Sequence, residues 1–137
     1  MKQSCVIEIL SNISELHRIK ATLEQLAVEW NIPQKPLFQI NLAVEELVTN
    51  IVNYGYDTNQ QTIVLSFVID ENVVTVKIQD NGKEFNPLIL PEPDTGAPVE
   101  KRQIGGLGIH LVKSLMDSTA YERKNDTNII TIEKKIR

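Results

Sequence analysis

Positions 5–10 (Cys-Val-Ile-Glu-Ile-Leu) are β-branched and loosely alternating, which predicts a first strand. Asn12, followed three residues later by Glu15, has the spacing of a capping box at a helix start. Leu16, Ile19, Leu23, Leu26 and Trp30 then recur at steps of three and four, predicting a helix with one apolar stripe to about Asn31, ended by Pro33 and Pro36. A second helix is predicted from near Pro36, with Leu37, Ile40, Val44, Leu47, Val48 and Ile51 as its buried stripe and Gly55 as its stop. On a helical wheel Glu46, Asn50 and Asn53 fall in a narrow sector roughly opposite that stripe, with Leu42 above them. Residues 62–69 and 73–79 form a predicted hairpin across Asp70-Glu71-Asn72, and the second strand runs into Asp80-Asn81-Gly82.

Residues 86–103 have no periodicity and hold Pro87, Pro91, Pro93 and Pro98, so they are expected to form a long loop, either a lid or a surface excursion. After Gly105-Gly106-Leu107-Gly108 a third helix follows, with Ile109, Val112, Leu115 and Met116 as its apolar face. Residues 121–124 and 129–136 close the chain as a hairpin across 125–128. The order β-α-α-β-β-loop-α-β-β predicts an α+β fold: a two-layer α/β sandwich with helices on one face of a mixed, mainly antiparallel sheet. Residues 1–137 are expected to make a single domain without internal repeats, since their number suits one hydrophobic core.

Composition narrows the function. With 14 Lys plus Arg against 18 Asp plus Glu the net charge is -4, and no basic run is longer than Lys134-Lys135, which argues against a nucleic-acid partner. A single Cys5 forms no internal disulfide, and with only His17 and His110 beside it a structural zinc site is close to excluded. No uncharged stretch approaches the roughly 18 residues a membrane helix needs, so a cytoplasmic protein without a membrane partner is expected.

Three groups of residues can carry chemistry. Gly105, Gly106 and Gly108 at a helix start can let backbone N–H groups approach a phosphate, or can simply make a tight turn. Glu46 and Asn50, one turn apart, offer a carboxylate able to take a proton and an amide oxygen suited to Mg²⁺, or else a solvated polar face. Asp80, at a strand end before Gly82, can accept a hydrogen bond from an exocyclic amine or stabilise a turn as an Asx residue.

The order Glu46-x-x-x-Asn50 on a helix, Asp80-x-Gly82 after a strand, then a loop and Gly105-Gly106-x-Gly108 resembles the N, G1 and G2 boxes of the GHKL (histidine-kinase-like) ATPases. Residues 42–50, the Asn53-Tyr54-Gly55-Tyr56 segment and the short length look most like the anti-sigma-factor serine/threonine kinases. The resemblance implies the GHKL, or Bergerat, ATP-binding fold with an ATP lid at about 86–105. It implies ATP and Mg²⁺ as cofactors, with Asn50 holding the metal and Glu46 as general base toward an attacking hydroxyl. Asp80 would read the adenine amino group, and Gly82 would let the base lie close. Asn53, Phe85, Arg102, Gly105, Gly106, Leu107, Gly108 and Thr131 would complete the nucleotide site, Arg102 pairing with phosphate oxygens and Thr131 bringing a hydroxyl near the adenine.

The same resemblance implies a protein serine/threonine kinase that phosphorylates a STAS-like anti-anti-sigma protein, sequesters a sigma factor or similar regulator, and forms a homodimer. Three departures stand out: Glu84 occupies the second glycine position of the G1 box, Tyr54 stands where many relatives have histidine, and His17 lacks the acidic residue and proline that follow a phosphoacceptor histidine. Histidine autophosphorylation is therefore not expected, and His110 is expected to be a packing or solvent residue. Glu84 leaves room for an alternative, a non-catalytic ATP/ADP-binding module that switches partners.

Overall fold

Strand β1 (Gln3–Leu10) starts two residues earlier than its apolar run and leads into a 3₁₀ turn, Ile13–Glu15, and helix α1 (Leu16–Trp30). These coordinates are a computed structural model that describes residues 2–55, 61–89 and 104–137, with the backbone alone for 104–107. The helix start is capped differently from a reciprocal box. Asn12 Oδ1 accepts the Ser14 N–H at 2.9 Å, but the Glu15 carboxylate reaches past Asn12 to accept the Leu10 N–H at 3.0 Å, tying α1 to the end of β1. At the other end Asn31 adopts φ 57° and ψ 47°, the left-handed conformation that closes a helix, and the Ile32 N–H reaches the Ala27 carbonyl at 3.0 Å.

Helix α2 (Gln34–Asn50) begins before Pro36, which sits in the first turn where its missing N–H is no loss. It continues into a π-helical turn, Ile51–Gly55. Strands β2 (Thr62–Asp70) and β3 (Val73–Asp80), helix α3 (Ile104–Leu115), and strands β4 (Ser118–Lys124) and β5 (Thr127–Lys135) follow. Both hairpins turn through two residues of positive φ, Glu71-Asn72 and Asn125-Asp126, a geometry that matches the twist of the flanking strands. The expected third helix is present but starts earlier: the glycines lie in its first turns rather than before it.

The sheet order is β1-β2-β3-β5-β4 and every neighbouring pair is antiparallel. The two-layer architecture is as expected; the mixed sheet is not. A crossover over one helix leaves β4 parallel to β3, but β5 inserts between them, so no parallel pair forms. Alternate residues of β2, β3 and β5 point at the helices and are buried, while the opposite face is exposed or half-buried. The register aligns Ile7, Leu65, Ile78, Ile130 and Tyr121 as one inward row. The next row is Ile9, Ile63, Asp80, Asn128 and Arg123. It turns from apolar to polar at β3, and the candidate site lies there. Helix α2 packs between α1 and α3, its Ile40, Val44 and Leu47 joining Leu23, Phe67, Ile130 and Val112 in one core.

Candidate functional site

The polar sector of α2 is largely covered at Glu46 and Asn50. Asn50 is 3 % exposed and its Nδ2 donates to the Pro87 carbonyl at 3.5 Å, while Glu46 is half-buried facing α3. The expectation of an open face opposite the apolar stripe is corrected by α3 and the loop after β3, which cover it. Leu42, Ala43 and Glu46 of α2 meet Gly108, Leu111 and Val112 of α3 across a narrow cleft. A Cβ built on Gly108 would overlap the Glu46 carboxylate, so the carboxylate occupies the space a side chain would take. Burial raises the Glu46 carboxyl above its ordinary value, and among the described residues no hydrogen bond engages it. Asn53 lies in the π-helical turn and is exposed, out of line with Glu46 and Asn50 because that turn holds more residues than an α-helical one.

At the end of β3, Asp80 is 4 % exposed and does serve the turn: its Oδ1 accepts the Gly82 N–H at 2.9 Å. The same oxygen accepts from Asn128 Nδ2 at 3.0 Å, while Oδ2 has no hydrogen-bond partner among the described residues. Asn128, 1 % exposed, also donates to the Lys83 carbonyl at 2.8 Å and accepts from Tyr121, Arg123 and the Phe85 N–H. Arg123 Nη1 reaches the Gly82 carbonyl at 3.0 Å as well, so the loop carrying Gly82 is held at several points. Burial, and next the charge of Glu84, raise the Tyr121 phenol above its ordinary value, which keeps its proton available to Asn128. The Phe85 ring packs beside Tyr54 of the π-helical turn, centroids 6.1 Å apart, joining the sheet end to the end of α2.

The structure thus sets Glu46 against Gly108 and joins the end of α2 to the loop after β3, which carries Gly82 and Phe85 beside Asp80, through the Asn50–Pro87 bond and the packing of Phe85 on Tyr54. Thr131 is a correction. Strand alternation from Ile130 and Ile132 sets it on the opposite face from Asp80, and the inward residue opposite Asp80 is Asn128. The sequence sets Asn128 in the predicted turn 125–128; in the structure the two-residue turn Asn125-Asp126 starts β5 at Thr127 and puts Asn128 in phase with Ile130. That phase is the signal that would have found it. Gly105 and Gly106 are known by backbone only, within the first turns of α3, and nothing is described for the Leu107 side chain. Arg102, and the lid beyond residue 89, lie outside the described residues. Glu84 is exposed, with a backbone outside the left-handed region, so no glycine is required at its position.

Among the described residues no three His, Cys, Asp or Glu side chains are grouped to hold a metal. Asn50 fits a different kind of metal site: the residue is 3 % exposed and its amide oxygen has no partner among the described residues, a hard donor of the sort that suffices for Mg²⁺ when water and phosphate complete the shell.

Residues 9–134 match the family described as the histidine kinase-like ATPase domain. The chain is 33% identical over 104 residues to the serine-protein kinase RsbW of Oceanobacillus iheyensis, covering 72% of this chain and 65% of that protein. It therefore spans slightly under two-thirds of the length of that relative. It is 24% identical over 123 residues to the anti-sigma F factor of Clostridium acetobutylicum, covering 85% of this chain and 81% of that one. The fold is shared with the crystal structure of the RsbU and RsbW domains of a Mycobacterium tuberculosis protein, with a TM-score of 0.71 at 15% identity over 98% of this chain and 32% of that chain.

Proposed function

Since the chain belongs to the histidine kinase-like ATPase family, we propose that it is an ATP-dependent protein serine/threonine kinase of the anti-sigma type. Its substrate is a hydroxyl of a STAS-like anti-anti-sigma protein, and its second partner is a sigma factor or comparable regulator that it sequesters as a cytoplasmic homodimer. The observation that carries this reading is the half-buried Glu46 carboxylate, unengaged among the described residues and one helical turn from the buried Asn50.

A carboxyl whose proton affinity is raised by burial is better matched to taking a proton from a serine or threonine hydroxyl than an ordinary exposed carboxylate. The Asn50 amide oxygen would hold Mg²⁺ on the phosphates, and the metal when bound neutralises charge on the transferred group. Asp80 Oδ2 accepts the adenine amino group while Oδ1 stays with Gly82 and Asn128. The first turns of α3 offer backbone N–H groups without intrahelical partners to the phosphates. Phosphate added to the antagonist repels nearby carboxylates at their interface and releases it, so ATP controls which partner is held.

The test is transfer of labelled phosphate from ATP to a purified STAS-like protein. Glu46→Gln is expected to keep ATP binding and lose transfer, whereas undiminished transfer by that variant would remove Glu46 from the mechanism. Sedimentation of the purified chain checks the homodimer.

A further inference from the structure

Asn128 has its whole amide engaged. One Nδ2 proton goes to Asp80 Oδ1 at 3.0 Å and the other to the Lys83 carbonyl at 2.8 Å. Its Oδ1 accepts from the Tyr121 hydroxyl at 2.6 Å, Arg123 Nη1 at 3.0 Å and the Phe85 N–H at 3.3 Å. Only acceptors surround the nitrogen and only donors the oxygen, so the partners themselves fix which way the amide faces. An amide so committed has no donor left for a ligand. It stands nonetheless beside the one carboxylate of the site's polar row.

The consequence falls on Asp80. The last torsion of an aspartate is broad and roughly two-fold, so a carboxylate held only by the turn N–H of Gly82 can swing. A second donor from the neighbouring strand pins it, with Oδ1 occupied and Oδ2 open. The same Asn128 ties down Lys83 and Phe85 of the loop that follows Asp80. We infer that Asn128 is a positioning residue for base discrimination: it fixes Asp80 and the 81–85 loop so that the site takes a purine bearing an exocyclic amino group and rejects one bearing a carbonyl there, without itself touching the base. The inference rests on the reading of Asp80 as the residue that accepts the adenine amino group. A carbonyl set against a fixed, already desolvated acceptor oxygen leaves both without a proton, which is why a rigid polar site discriminates more strongly than a pliant one.

Calorimetric titration of the full chain with ATP and with GTP tests it, using wild type, Asp80→Asn, Asn128→Thr and Tyr121→Phe, each checked for a cooperative thermal melt. Wild type is expected to prefer ATP. Asn128→Thr lowers the ATP-over-GTP ratio about tenfold and Tyr121→Phe about threefold, on the scale of one or part of one buried hydrogen bond. A residue that merely supports the fold would weaken both nucleotides alike, so an unchanged ratio in Asn128→Thr, with Asp80→Asn losing its preference, overturns the inference while the reading of Asp80 stands. If Asp80→Asn keeps the wild-type ratio, that reading fails and the inference with it. Should Asn128→Thr not melt cooperatively, the ratio of Tyr121→Phe decides, and no change there overturns the role assigned to Asn128.

Discussion

At the ends of β3 and β5, Asp80, Asn128, Tyr121 and Arg123 bond one another and the loop between them, whereas on α2 the pair Glu46 and Asn50 makes, among the described residues, one side-chain hydrogen bond, the 3.5 Å contact of Asn50 with the Pro87 carbonyl. Both regions are polar and withdrawn from water. On the proposed reading, recognition of a base asks for acceptors already in place, and a densely bonded row would supply them at no reorganisation when the base arrives. On the proposed reading, transfer of a phosphoryl group asks for oxygens free to engage what arrives, and among the described residues those of Glu46 and Asn50 have no partner, at some expense in stability. Disruption should therefore act oppositely in the two regions: substitution in the sheet lowers stability together with recognition, and substitution on α2 lowers transfer while stability holds or rises.

The largest effect is expected from Glu46→Gln, which should lower transfer by about 10²- to 10⁴-fold, the usual weight of a general base. The melting temperature at neutral pH should rise, since the variant carries no half-buried charge. The sign follows from the raised carboxyl: above the ordinary carboxylate range the unfolded chain has lost the proton that the folded chain still holds. Stability of the wild type therefore declines as pH rises through that window, and the Gln variant, melted across the same range, should lack that part of the decline. Next comes Asn128→Leu, which leaves Asp80, Tyr121 and Arg123 without their shared partner and should cost about 2–4 kcal/mol in denaturant unfolding.

Gly108→Ala sharpens the contrast further. Its methyl group displaces the Glu46 carboxylate, so transfer should fall about tenfold through misplacement, while the helix itself gains up to about 1 kcal/mol in a melt. Tyr121→Phe is the mildest, removing one neutral hydrogen bond at about 1 kcal/mol, a shift of a few degrees in melting temperature.

The elements built on strong apolar periodicity were legible in the chain, because burial of Leu23, Val44 or Phe67 obeys local repeats. Glu46, Asn50 and Asp80 stand out in the sequence as candidates through their order relative to the glycines. Asn128 was not, because a two-residue turn and a four-residue one read alike in Asn125-Asp126-Thr127-Asn128, and only pairing with β4 decides which side of the sheet each residue faces. The start of α3 was misjudged because glycine is a poor helix former, yet the first turn of a helix asks least of it. The covered face of α2 was hidden for another reason: a wheel shows which residues align, but what packs on them is decided by α3 and the loop after β3, distant in the chain.

The Asn125-Asp126 turn protrudes at a strand junction, where surface loops ordinarily tolerate added residues. On the proposed reading of Asp80, the register this turn sets is coupled to ligand chemistry. One inserted residue that shifted the β5 register would exchange Asn128 for Thr127 or Ile129 opposite Asp80 and send Ile130 and Ile132 to the solvent face. A shift of two residues would keep the apolar face inward yet set Asp126 or Ile130 opposite Asp80, so only length variants that absorb the added residues within the turn and leave the Asp80–Asn128 pairing in place should keep base recognition, a constraint imposed on an exposed loop by a carboxylate of the adjacent strand.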